Sequence, residues 1–209
     1  MPRYARSERQ AFADLLLALG PDAPTINEGW AARDLAAHLV VRERRPDAAA
    51  GILLRPLRGH AERVRSAMAT RPFPELVELV RRPPWWSPVS NPLLDELTNT
   101  MEFFIHHEDL RRAQPDWRPR ELSPGLAAAL WRRIPVLARL TLRRFPGSVL
   151  VRAPGHGELS VGTSGESVQL IGPPGELAMF VFGRQRVARV ELVGSTALVE
   201  KLRTEDFNL

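Results

Sequence analysis

The chain contains no cysteine. That excludes disulfides, thiolate metal sites and any enzyme whose own thiol attacks its substrate. Nor is there a run of about 18 uninterrupted apolar residues, the length a transmembrane helix requires. The first residues, MPRYARSERQAF, have no apolar core of the secretory type, so the chain is read as cytoplasmic. Lysine is almost missing too. Lys201 is the single one, although the formal net charge is +5. The positive charge is therefore arginine, and it gathers at the carboxyl ends of predicted helices: Arg42, Arg44 and Arg45; Arg81 and Arg82; Arg111 and Arg112; Arg143 and Arg144. Cations there complement the helix dipole. No aromatic-interleaved basic stripe or binding motif accompanies them, so neither a nucleic-acid nor a membrane partner is expected.

What is present fits a globular protein. With 209 residues, 44% of them hydrophobic and 25% charged, the chain can bury one large core or two modest ones. Its first two thirds read as helices separated by proline. SERQAFADLLLALG opens with Ser7 and Gln10 at capping-box spacing and closes on Gly20. AARDLAAHLVVRERR repeats Leu35, Leu39 and Val40 at helical spacing and stops at Pro46. LRGHAERVRSAMA and PELVELVRR come next, the latter ended by Pro83 and Pro84. A long helix runs from about Leu93 to Arg112, and a last one, GLAAALWRRIPVLARLTLRRF, is expected to kink at Pro135. Trp85 and Trp86, in the irregular WWSPVSNP, are expected to pack onto the helices rather than to line a substrate mouth, and Phe103 and Phe104 to lie in the core.

Past Pro146 the pattern changes. SVLVRA, ELSVG, ESVQLIG and VARVELVG are β-branched runs divided by Gly and Pro, which predicts strands. PPGELAMFVFGR between them reads as a helix with Pro174 in its first turn, and STALVEKLR as a final helix capped by Ser195 or Thr196. The expected class is α+β: a helical domain over residues 1–145 and a small α+β domain over 146–209.

Chemistry concentrates in MEFFIHHEDLRR, residues 101–112. Glu102 and His106 are four apart and share one helix face, so both can hold one ion. His107 points elsewhere. A tetrahedral catalytic site wants three protein ligands and one open position, and His38, in the middle of an otherwise apolar helix, is the candidate third. Asp34 and Asp109 are candidate acceptors that would orient the imidazoles. The same residues also fit a solvated helix face with a simple Glu102–His106 ion pair, and pattern alone leaves both readings open. His60 reads as a surface or groove residue.

Two stretches, GWAARDLAAHLVVRE and EFFIHHEDLRR, in that order, resemble the DinB-like metal-binding family. They are most similar to its actinobacterial, mycothiol-dependent maleylpyruvate isomerase-like branch. There a Trp precedes a helix with Asp-Leu-x-x-His, and a later helix carries Glu-x-x-x-His. Trp30, Asp34, Leu35, His38, Glu102 and His106 occupy those positions here. The resemblance implies a four-helix bundle with His38, Glu102 and His106 as metal ligands. It also implies that GELAMFVFGR, with the strand and helix after it, belongs to a sterol-carrier-type domain closing over the bundle. One departure is Ala31, where the branch usually has a Ser or Thr helix cap.

The implied cofactor is a divalent metal, foremost zinc, although the donor set also suits iron, nickel or manganese. With no cysteine of its own, the chain would need a thiol cosubstrate, by resemblance mycothiol, for thiol transfer to a small electrophile or its thiol-assisted isomerisation. Arg184 would be either a carboxylate clamp or a helix-end cation. A metal-dependent hydrolase and a non-enzymatic protein with a structural ion are the alternatives.

Overall fold

The computed structural model describes residues 3–53, 55–87, 89–91, 94–162, 165–205 and 207. By packing, the chain divides into two compact units, Met1–Arg118 and Pro119–Leu209. The expected division at 145/146 marks the change from helical to strand-forming sequence. The packing division places the last helices of the first two thirds with the strands.

The first unit is helical: α1 (Tyr4–Leu19), α2 (Ala32–Arg44), α3 (Pro46–Leu53), α4 (Arg58–Ala69), α5 (Phe73–Arg81) and α6 (Asp95–Arg111). Helix α1 presents Phe12, Ala13 and Leu16 to a core completed by Leu35 and Leu39 of α2, Leu76, Val77 and Val80 of α5, and Phe103 and Leu110 of α6. These positions recur at three- and four-residue intervals, which keeps each apolar stripe on one side of its helix.

Helix α1 starts earlier than expected, with Arg3 preceding it. Ser7 therefore lies inside the first turns, and its hydroxyl donates to the Arg3 carbonyl instead of capping. Gly20 ends the helix at φ +87°, ψ 173°, a conformation only glycine adopts freely. At α2, Ala31 has no side chain to cap with, but its own N–H donates to the Asp34 carboxylate at 3.0 Å. That is the half of a capping box that does not depend on the N-cap side chain. Leu93, the expected start of α6, lies outside the described residues.

The second unit contains α7 (Pro124–Trp131), α8 (Ile134–Thr141), β1 (Ser148–Ala153), β2 (Gly157–Gly162), β3 (Ser167–Ile171), α9 (Pro174–Val181), β4 (Glu191–Val193) and α10 (Thr196–Thr204). The expected kink at Pro135 is a full break: α7 ends at Trp131 and Pro135 sits in the first turn of α8, where its missing N–H costs nothing. The sheet order is β2-β1-β3-β4, with β1 parallel to β3 and the other pairs antiparallel. Val149, Val151 and Ala153 of β1 and Val168 and Leu170 of β3 are buried in alternation. Helix α9, against β1, is buried along its whole length. The molecule is thus mixed α+β. Among the described residues no helix is long and apolar enough to cross a membrane.

Candidate metal centre

The site lies where α2 meets α6 through polar side chains. His38 faces α6 from the second turn of α2, and one turn later Arg42 occupies the same face. Glu102 and His106 answer from α6. Glu102 Oε1 lies 3.6 Å from His38 Nε2 and 3.3 Å from His106 Nε2. The two imidazole centroids are 5.1 Å apart. Each residue offers one ligand atom, and these lie within 4.8 Å of one another. Tetrahedral zinc bonds of about 2.1 Å set their ligand atoms about 3.4 Å apart, so the observed separations suit one shared cation. Side-chain exposures of 6–15% leave the cluster partly open to solvent.

Neighbours hold each group in place. The His106 ring meets the Asp109 carboxylate at Nδ1, 2.9 Å, which leaves Nε2 facing Glu102. Asp109 also receives the Asn27 amide. Trp30 packs on His38 with ring centroids 5.4 Å apart. The Arg65 guanidinium stacks over Trp30 and pairs with Asp34. Arg42 Nε lies 3.2 Å from Glu102 Oε1, and its Nη1 donates to Asn99 at 2.6 Å.

These contacts set the electrostatics. Burial alone would raise the Glu102 carboxyl, but Arg42, foremost, and the imidazoles outweigh it and hold the group well below the usual carboxylate range. Burial lowers the His38 imidazole, against its hydrogen bond to Glu102. For His106 burial pulls the same way, yet Asp109 and Glu102 overcome it and the pKa is raised.

Comparison with known proteins adds to this geometry. No family model and no curated protein sequence matches the chain. Among solved structures, a mycothiol-dependent maleylpyruvate isomerase aligns over 92% of this chain and 92% of its own, with a TM-score of 0.57 and 15% sequence identity. A histidine-to-alanine variant of a mycothiol-dependent maleylpyruvate isomerase aligns equally well. The chain has the fold of that isomerase. At this identity the likeness establishes the fold and leaves the chemistry to the residues.

Within the isomerase fold, the structure brings His38, Glu102 and His106 together and places Asp109 behind His106. Asp34 does not orient an imidazole; it caps α2 and pairs with Arg65. The remainder of the HHED run is not a solvated face. His107 is buried with its Nδ1 3.0 Å from Glu8, and Glu108 is buried between Arg111 and Arg112. Arg42, which from sequence reads as a helix-end cation, is the site residue that sequence reasoning missed. Its position four after His38 was the available signal. His60 is on the surface, 3.1 Å from Asp47. Arg184 donates to the Phe182 carbonyl at the end of α9, the helix-end use. Trp85 is 81% exposed, against the expected packing onto the helices, and Trp86 is about half-buried, at 48% exposed.

Proposed function

We propose that the chain is a metal-dependent enzyme that uses a low-molecular-weight thiol such as mycothiol. The reaction is thiol transfer to a small electrophile, or its thiol-assisted isomerisation, in the cytoplasm. His38, Glu102 and His106 are the proposed ligands of a divalent cation, foremost zinc. The helical unit is read as a DinB-like four-helix bundle and the sheet-containing unit as the sterol-carrier-type domain of the same branch. One observation carries the proposal: imidazoles from two helices converge on a single carboxylate oxygen at 3.3 and 3.6 Å. The fold shared with a mycothiol-dependent isomerase supports it.

When bound, such a cation supplies Lewis acidity and holds a thiol as its thiolate near neutral pH. The chain's own residues prepare the place for it. Asp109 fixes the His106 ring, Trp30 braces His38, and Arg42 keeps Glu102 ionised and aimed. The absence of cysteine means that the sulfur must arrive with a cosubstrate.

Elemental analysis of freshly purified protein beside a His106→Ala variant tests the site. About one divalent ion per chain in the parent, and loss of it in the variant, is expected; equal content in both removes the proposal. Offering thiol and electrophile with and without metal tests the reaction. Product that needs both supports it. Turnover without thiol identifies a hydrolase, and unfolding on chelation without any turnover identifies a structural ion.

A further inference from the structure

A cleft in the helical unit is lined by none of the proposed ligands. It has a volume of about 750 Å³ and is lined by the start of α1, the end of α5 and the residues leading into α6. Pockets of roughly 300–1,000 Å³ hold small molecules. Five of the lining residues are arginines (Arg3, Arg6, Arg9, Arg81 and Arg82), against three carboxylates in the lining, while Arg9 and Arg81 also pair with Glu43 and Asp14 outside it.

The carboxylates are already committed. Asp95 accepts from Arg9 and Asn99, at 3.2 and 2.8 Å. Glu96 accepts from the Ala5 N–H and the Thr100 hydroxyl. Glu78 lies 3.4 Å from Arg81 and 3.3 Å from Arg82. Arg9, deep in the wall, is fixed by two hydrogen bonds to Glu43, 2.6 and 2.8 Å. Arg3 and Arg6 are exposed, and among the described residues neither pairs with a carboxylate. Arg82, on the facing wall, is 84% exposed and keeps its terminal nitrogens free of the Glu78 contact made through Nε.

Arg6 and Gln10, four apart in α1, share one helix face, with β-carbons about 5–6 Å apart, and Arg3 immediately precedes that helix and lines the same cleft. Guanidiniums contributed to one cleft from the start of α1 and from just beyond α5 suit a ligand with two linked anionic groups better than a single anion. Guanidinium forks match phosphate oxygens two at a time. We infer that this cleft binds a diphosphate group, free or as an ester, between Arg3 and Arg6 at the start of α1 and Arg82 beyond α5.

Calorimetric titration of the full chain with sodium pyrophosphate tests this, at low and moderate salt, with orthophosphate, ADP and a short single-stranded oligonucleotide as further arms. The expected result is one saturable pyrophosphate site that weakens with salt. Affinity should fall about tenfold or more in Arg6→Glu/Arg82→Glu, and likewise in Arg3→Glu should the double variant fold poorly by circular dichroism. His106→Ala should bind as the parent does, which keeps the outcome independent of the metal centre. Tighter binding of ADP than pyrophosphate would show an ester as the preferred form. The inference is overturned by the absence of saturable binding at millimolar pyrophosphate, by affinity indifferent to the arginine substitutions, or by loss of binding in His106→Ala. Equal affinity for orthophosphate, or binding of the oligonucleotide alone, also overturns it.

Discussion

At the residue scale the site depends on a competition between burial and partners. Glu102 bears a charge in a confined place because Arg42 and two imidazoles face it. His38 and His106 are the same residue type a few ångströms apart, yet they are displaced in opposite directions. Burial dominates for His38, whereas Asp109 and Glu102 outweigh burial for His106. In chelator-treated protein, His106 should titrate above the ordinary histidine value near 6.5 and His38 below it, as read by NMR of the ring protons. The raised His106 stabilises the metal-free fold fully below pH 6.5, and that contribution fades as pH rises through its folded pKa. The lowered His38 acts in the opposite sense: its contribution is present above 6.5 and is lost as pH falls through its own folded pKa. Two histidines titrating together at the ordinary value would contradict this electrostatic account. Because a cation must displace the His106 proton, metal affinity should climb with pH through the raised range. Asp109→Asn removes the charge behind that ring, and metal affinity should drop about 10–100-fold in competition with a chromogenic chelator. An unchanged affinity would mean that Asp109 serves the fold alone, through Asn27.

At the scale of elements, α6 does two jobs with one sequence. Phe103 and Leu110 enter the core, while Glu102 and His106 turn to α2 and His107 turns to Glu8 on α1. The 100° step per residue separates those faces, which is why adjacent histidines have unrelated surroundings. The apolar periodicity that located α2, α5 and α6 was legible because burial on one side of a helix leaves a repeating trace. Helix starts were less so. Ser7 resembles a cap, but the chain upstream was able to continue the helix and did. Proline also separates element ends cleanly, as the break before α8 shows. Two glycines at positive φ differ in what surrounds them. Gly20→Ala, with open space for its β-carbon, should cost only the backbone strain, about 1–3 kcal/mol. Gly162→Ala in β2 should cost more, because the added carbon would overlap the Gly147 carbonyl oxygen. Urea unfolding of both variants checks the ranking, and equal losses would show that the strand relaxes around the new side chain.

At the scale of the whole molecule, the proposed ligands all belong to Met1–Arg118, a unit with its own core. Metal binding should therefore stabilise that unit by mass action, about 2.7 kcal/mol at a metal concentration one hundred times Kd. In a thermal melt, chelation should lower the midpoint without abolishing far-ultraviolet circular dichroism. The site's groups already have protein partners in Arg42, Asp109 and Trp30, so the apo fold is not left with unpaired buried charge. Collapse of the helical signal on chelation would favour an ion that holds the fold together. The likeness to the isomerase spans both units at 15% identity, which is possible because packing tolerates many apolar substitutions that keep volume and pattern.

The amino-acid sequence by itself determined most of the helices and the four strands in their order, the excluded sulfur chemistry and the shared face of Glu102 and His106, since each comes from local periodicity or from composition; it did not mark α3 and joined α7 to α8. Tertiary structure alone decided the rest. It brought His38 against that face, recruited Arg42 to Glu102, buried Glu8 with His107 and gathered arginines from α1 and α5 around one cleft. Such pairings join residues tens of positions apart, and no regular spacing along the chain records which helix will lie beside which.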